Sequence, residues 1–259
     1  MLKQFAKRFA NGLLNPIGYE LRSLASHHDP FVDQRRLVPG ARTVFDLGAN
    51  AGQTAQKYVE LFPNATIHSF EPFTDSYTNL VRRHARQPRV HPHNVAIGDA
   101  DGHANLFLNN YHETNSLFPV APESRRLVGT ELTGTKGATQ IPMVTLDSFC
   151  SGEAIAHIDV LKMDIQGAEL LALKGAAGLL RGSAISVIYT EVLFAELYRG
   201  QAFMTDLWSH LRQYDYSLYG IYNLCHGVSA DSLTELAWGD ALFVSADVRA
   251  KIVTGTDRS

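Results

Sequence analysis

The chain has 259 residues, 45% of them hydrophobic and 19% charged, with a formal net charge of −3. That length suits one α/β domain with a large core and is short for two. The charge balance, without a long basic run, argues against a nucleic-acid partner, no apolar run is long enough to span a bilayer, and Cys150 and Cys225 match no zinc spacing.

Free thiols in a reducing cytoplasm suit the two cysteines, with a disulfide left open. The N-terminal stretch "MLKQFAKRFANGLL" is broken by Lys3, Lys7 and Arg8, so it does not read as a secretory signal. Leu2, Phe5, Ala6, Phe9 and Leu13 fall near one helical face. Residues 1–40 are read as an N-terminal helical segment, a cap or lid on a domain spanning 41–259. The sharper alternative is weak contact with a membrane surface.

From Thr43 onward strand and helix patterns alternate. "TVFDLG" is a strand and "AGQTAQKYVELF" a helix; "ATIHSFEP" and "TDSYTNLVRRHAR" repeat the pair. "RVHPHNVAIGD" contains a third strand and "HANLFLNN" an extra one. Residues from about 110 to 140 are rich in Gly, Thr, Pro and Ser and read as a loop insertion over a site. "IPMVTLDSF" and the strand "IDVLKMDIQG" follow, then a single helix "AELLALKGAAGLL", the strand "AISVIYTEV" and a helix around "MTDLWSHLRQY". Two strands, "YSLYGIYNL" and "ELAWGDALFVS", close the chain as an antiparallel pair at the sheet edge. The alternation predicts an α/β three-layer sandwich on a mostly parallel sheet, with ligands at the carboxyl ends of the strands.

The turn in "FDLGANAGQT" carries the first candidate site. Gly48 and Gly52 let the backbone turn sharply and let a ligand approach, and Gln53 and Thr54 lie in the first turn of the helix that follows. A dinucleotide fingerprint needs glycine at positions where Asn50 and Gln53 stand, so a nicotinamide-dependent oxidoreductase is the weaker reading. Glu71 ends the second strand, 25 residues after Asp46 (71 − 46). A carboxylate there accepts hydrogen bonds from both hydroxyls of a ribose. A nucleoside that carries an amino-acid carboxylate, S-adenosyl-L-methionine, fits such a turn better than a pyrophosphate. The alternative role for Glu71, before Pro72 and Phe73, is an acid at a helix N-terminus.

"VFDLGANAGQTAQKYVELFPNATIHSFEP" resembles the first motif region of the FkbM-type S-adenosylmethionine-dependent methyltransferases. The likeness runs on through "NVAIGDADG", "TNSLF", "VTLDSF" and "VLKMDIQGAELLALKGA", over roughly residues 43–191. It implies the class I methyltransferase, Rossmann-like fold, a seven-stranded sheet with one reversed strand near its edge. It also implies O-methylation of a small-molecule, sugar or glycan acceptor. Cofactor contacts are implied for Asp46, Gly48, Asn50, Gly52 and Glu71, and for Asn94, Val95 and Ala96 near the adenine; Ala49 lies in the same turn. The resemblance reaches Asn115 and Ser116 in "YHETNS". One departure is Gln166, where the family often has an acid.

Methyl transfer to an alcohol needs alignment and a proton acceptor. Asp164 and Glu191 end adjacent strands and are the candidate catalytic acids, with His112 a further candidate base. The same two acids suit a divalent cation only in part, because no third ligand is evident, so a metal is not favoured. Asp164 alternatively caps the helix "QGAELLALKG". Glu169, five residues on along that helix, points away from Asp164. Lys162 either contacts substrate or reaches solvent. His68, Trp238 and Asp240 read as structural, and "FAELYRGQAF" as an acceptor wall or as ordinary helix packing. Two further alternatives are a non-catalytic nucleoside-binding subunit and an assembly of several copies of the chain.

Overall fold

A computed structural model describes residues 29–129, 134–228 and 233–254. The amphipathic pattern at residues 2–13 lies outside them. Helix α1 (Pro30–Leu37) is started by Asp29, whose carboxylate accepts the N–H groups of Phe31 and Val32, with Pro30 in the first turn.

The main sheet has seven strands. In chain order they are β1 (Thr43–Leu47), β2 (Thr66–Phe70), β3 (Val90–His93), β7 (Ile158–Met163), β8 (Ile185–Leu193), β9 (Ser217–Val228) and β10 (Leu233–Val244). Their spatial order is β3-β2-β1-β7-β8-β10-β9. β10 runs antiparallel to both β8 and β9, and the other pairings are parallel. The last hairpin therefore inserts its second strand beside β8 and leaves its first at the edge. Strand order reverses between β1 and β7, which opens a crevice at their carboxyl ends.

The inner strands are apolar on both faces, so each face needs a helical layer. On one side Leu37, Ala55, Tyr58, Val59 and Val248 come from α1, α2 (Gln53–Leu61) and α9 (Ala246–Thr254), and cover Val44, Val160 and Val187. On the other, Phe45, Leu161 and Ile188 pack under α5 (Leu146–Gly152), α6 (Glu169–Lys174), α7 (Ala177–Arg181) and α8 (Met204–Arg212). Helix α3 (Thr74–His84) joins β2 to β3. No helix among the described residues is long and apolar enough to cross a membrane. Cys150 and Cys225 are both free thiols.

Two expectations need correction. "AELLALKGAAGLL" is two helices, because Asp147 accepts the N–H groups of Gly178 and Leu179 and starts α7 separately. The stretch expected as a loop from 110 to 140 ends early. Thr135–Val144 is strand β6, which pairs with β4 (Ala96–Ile97) and β5 (Gly102–Asn109) in a second sheet of order β4-β6-β5. Residues 135–140 are exposed, so they carry no apolar alternation; pairing with β5 makes the strand. A short helix, α4 (Ser124–Val128), also lies within the expected loop. Helix α1 packs on the face of α2 and β9, through Tyr58 to Gln34 (2.9 Å) and Tyr222 to Asp33 (3.0 Å), and lines neither cavity at the strand ends.

Candidate active site

β1 ends in a turn with three left-handed residues, Gly48 (φ 72°), Asn50 (φ 47°) and Gly52 (φ 82°). A Cβ on Gly48 would collide with the carbonyl of Asp164, and one on Gly52 with His84 and Leu80. Both glycines are thus required by positive φ and by close packing against the protein itself, more than by ligand approach. The turn is held by its own partners. Gly48 and Ala49 donate to the Phe70 carbonyl at 3.0 Å each, Gly52 donates to Ala49, and Asn50 donates to Glu71 Oε2 at 2.9 Å. It is already shaped before a ligand arrives.

Glu71 is buried and accepts from Asn50 with one oxygen and from Phe73 N–H (2.8 Å) with the other. Burial is the largest influence on its acidity and raises its pKa, against these two hydrogen bonds. Each oxygen keeps a second lone pair, and the residue lines a cavity of about 220 Å³. Asn94 braces this acid from behind, donating to the carbonyls of Glu71 (2.8 Å) and Pro72 (3.1 Å).

That first cavity is lined by Gly48, Asn50, Glu71, Pro72, Val95, Ala96, His112, Ser116 and Asp164 among the candidate residues. Phe70, Ile97, Leu106 and Leu117 supply apolar walls. Asp46, Ala49, Gly52, Gln53, Thr54, Phe73 and Asn94 are not on its walls. Asn115 lines it too. Its Oδ1 accepts Asn109 N–H at 2.8 Å, while its buried Nδ2 has no protein partner. An unpaired donor, an acid with spare lone pairs and an apolar wall around one cavity fit a nucleoside, whose ring nitrogens, ribose hydroxyls and base face complement them in turn.

A second cavity of about 240 Å³ adjoins the first and shares Glu113 and Gln166 with it. Its walls include Glu191, Tyr198, Leu197, Val120, Val128 and Trp238. The segment after β5 closes over both cavities. Ser116 Oγ donates to the Gln166 carbonyl (2.6 Å), and Val120 bridges to Tyr198. Trp238, expected to be structural, faces this space. Of "FAELYRGQAF", Leu197 and Tyr198 form wall, whereas Phe194 packs on the core.

Gln166 stands at the partition in a left-handed conformation (φ 57°) that Gly167 (φ 92°) continues. Its Nε2 donates to Asp164 Oδ1 (2.8 Å) and to Glu191 Oε2 (3.3 Å), and its Oε1 accepts from Tyr198 (2.6 Å). Burial holds the Glu191 carboxyl well above the usual carboxylate range, and Asp164, Glu169 and Asp240 push it further the same way. His112 lines the first cavity, exposed and 3.3 Å from Glu113, whereas Glu191 lines the second.

Asp164 does not cap the following helix. Residues 164–168 form a turn, the α6 N-cap is Ala168, and Glu169 reaches back to accept Ile165 N–H at 2.9 Å. Glu169 is buried and its pKa rises to about 7, chiefly by burial. The helical spacing argument for this pair fails because no helix joins them. Lys162 reaches neither substrate space nor solvent. It is buried, 3.0 Å from Asp46 and within 3.1 Å of the Leu47 and Gly48 carbonyls. His68 is buried beside His93 (3.2 Å between ring nitrogens), and burial lowers both to about 4. Asp240 accepts from Tyr189 and Asn223. Among the described residues no group of three or more His, Cys, Asp or Glu side chains is placed to hold a metal ion.

Sequence reasoning missed the use of Gln166, Tyr198 and Trp238. Gln166 was visible as a departure from the resembling family's pattern; the other two carried no local signal.

The family description "Methyltransferase FkbM domain" matches residues 46–218. The 2-O-methyltransferase NoeI of Sinorhizobium fredii is 26% identical over 209 residues, covering 77% of this chain and 80% of that protein. Among solved structures, the N-terminal domain of EvdMO1, determined in the presence of SAH and D-fucose, has TM-score 0.44 at 12% identity, over 95% of this chain and 97% of that one. Fibrillarin of Aeropyrum pernix with bound S-adenosyl-L-methionine has TM-score 0.41 at 14% identity, over 78% and 66%.

Proposed function

We propose that this chain, which belongs to the FkbM methyltransferase family, transfers the methyl group of S-adenosylmethionine to a hydroxyl of a sugar or other small-molecule acceptor. The observation that carries this reading is the pair of adjoining cavities, with Asp164 on the first, Glu191 on the second and Gln166 between them. The name of the relative NoeI, a 2-O-methyltransferase, supports a hydroxyl acceptor.

In this reading Glu71 accepts the ribose hydroxyls and Asn115 Nδ2 donates to the nucleoside, while Val95, Ile97 and Leu106 enclose its base. The sulfonium supplies an already activated methyl group. The chain's own task is to aim an acceptor oxygen along the line of displacement and to receive its proton. Trp238, Tyr198 and Leu197 offer a flat apolar wall of the kind that packs on the C–H face of a sugar ring. Glu191 receives the hydroxyl proton, and the burial that raises its pKa makes its carboxylate a stronger proton acceptor than an exposed one. Asp164, exposed at the end of β7, orients the reacting hydroxyl or the sulfonium.

The test uses methyl-labelled S-adenosylmethionine with a panel of 4-nitrophenyl hexosides and 6-deoxyhexosides. Label appears on a ring hydroxyl, and Glu191→Gln and Asp164→Asn lower turnover by about 10²–10⁴-fold while still binding the cofactor. Cofactor binding with label delivered only to amines would overturn the hydroxyl assignment.

A further inference from the structure

We propose that Gln166 is the positioning residue of the transfer step, its neutral amide clasping Asp164 and Glu191 together at the boundary between the two cavities. The inference rests on the function proposed above and deepens it.

The amide has two N–H donors and one carbonyl, and every one is used. Both donors go to carboxylates, Asp164 at 2.8 Å and Glu191 at 3.3 Å, and the carbonyl accepts from Tyr198 at 2.6 Å. The flipped amide would turn its carbonyl toward two anions, so the partners dictate the orientation. The backbone is set as firmly, since Ser116 holds the Gln166 carbonyl at 2.6 Å from the segment that covers the site. Through its side chain Gln166 therefore ties together the loop after β7, the end of β8 and the Tyr198 wall, and through its backbone carbonyl the covering segment. An acid at this position would add a third anion within hydrogen-bond distance of the other two. The remaining groups that act on Glu191 are Glu169 from α6, Asp240 from β10, Lys162 from β7 and the Tyr198 hydroxyl, with Glu113 lining both cavities. Lys162 is the buried cation opposing these acids, and it is already committed to Asp46. The amide is thus the neutral donor that lets two carboxylates share one boundary without closing it electrostatically.

The experiment compares wild type, Gln166→Leu and Gln166→Glu. In the first arm, carboxyl ¹³C resonances of Asp and Glu are titrated by NMR, with S-adenosylhomocysteine present and absent. Loss of the amide donors in Gln166→Leu raises the apparent pKa of the Asp164–Glu191 pair; identical titration curves in wild type and Gln166→Leu would overturn the proposal. In the second arm, transfer to the 4-nitrophenyl glycoside panel is followed against pH. Gln166→Leu loses about tenfold or more in turnover at every pH. Gln166→Glu loses it above neutrality and recovers as pH falls, because one proton restores the wild-type charge and a donor. A Gln166→Glu profile parallel to wild type, scaled by a constant, would equally overturn it. If wild type fails to bind S-adenosylhomocysteine, the functional reading fails, while the titration without ligand still decides the role of Gln166.

Discussion

Lys162 Nζ lies 3.0 Å from Asp46 Oδ1, across the register that pairs these two residues in β7 and β1. Both are buried, and the same ammonium holds the carbonyls of Leu47 and Gly48. The glycine turn therefore rests on an ion pair inside the sheet. Replacing Lys162 by Met leaves Asp46 as an uncompensated buried charge, at a cost of about 3–5 kcal/mol. Adding Asp46→Asn recovers most of it. Urea denaturation checks both, and a single variant as stable as wild type would contradict the pairing.

Asn115 uses its oxygen within the protein and leaves its buried amide nitrogen unpaired at the first cavity. Asn115→Asp keeps the acceptor for Asn109 N–H and removes the donor. Cofactor affinity falls by about 1–3 kcal/mol, or roughly fivefold to 150-fold. Calorimetric titration with S-adenosylmethionine measures it. Unchanged affinity means that Nδ2 does not meet the nucleoside.

Glu169 is raised from its ordinary 4.5 to about 7, chiefly by burial. A carboxyl whose folded pKa is raised contributes stability below its unfolded pKa and loses it as pH rises through the folded value. The loss runs from about pH 4.5 to 7. Glu169→Gln keeps the acceptor for Ile165 N–H and removes the titration. The variant is more stable than wild type above pH 7, by about 3 kcal/mol, and the gain vanishes below pH 4.5. Thermal melts across this range show it, and a pH-independent difference between the two proteins would contradict it.

Trp238 lines the second cavity beside Tyr198 and Glu191 and is absent from the first. Trp238→Ala raises KM for the glycoside by about tenfold or more, since an aromatic wall is worth a few kcal/mol of apolar contact. Affinity for S-adenosylmethionine stays within error. A loss shared equally by both ligands would mean that Trp238 supports the whole site.

The glycine turn, Glu71 and the carboxylates at the ends of β7 and β8 were legible because their signals are local. The glycine turn, Glu71 and Asp164 sit where an apolar strand stops and Glu191 two residues before β8 ends, and strand ends mark the ligand side of such a sheet. Asp46 was legible as important yet is wholly buried on Lys162, because residue type at a strand end does not reveal which face it takes. The β6 strand was missed for a related reason. Its exposed first half has no apolar period, and only its partner β5 makes it a strand.

By itself the sequence determined the α/β class, the order of the main-sheet strands after Thr43, and the family, since these follow from apolar periodicity and from motifs contiguous in the chain. Only the tertiary structure decided the second cavity and its partition. Gln166, Glu191, Tyr198 and Trp238 come from the turn after β7, the end of β8, the loop beyond it and β10. They meet because β10 threads back beside β8, so that Trp238 pairs with Leu193 and Asp240 with Glu191. Contacts of that range depend on which strands become neighbours, a choice set by the packing of the whole sheet and written in no single stretch of sequence.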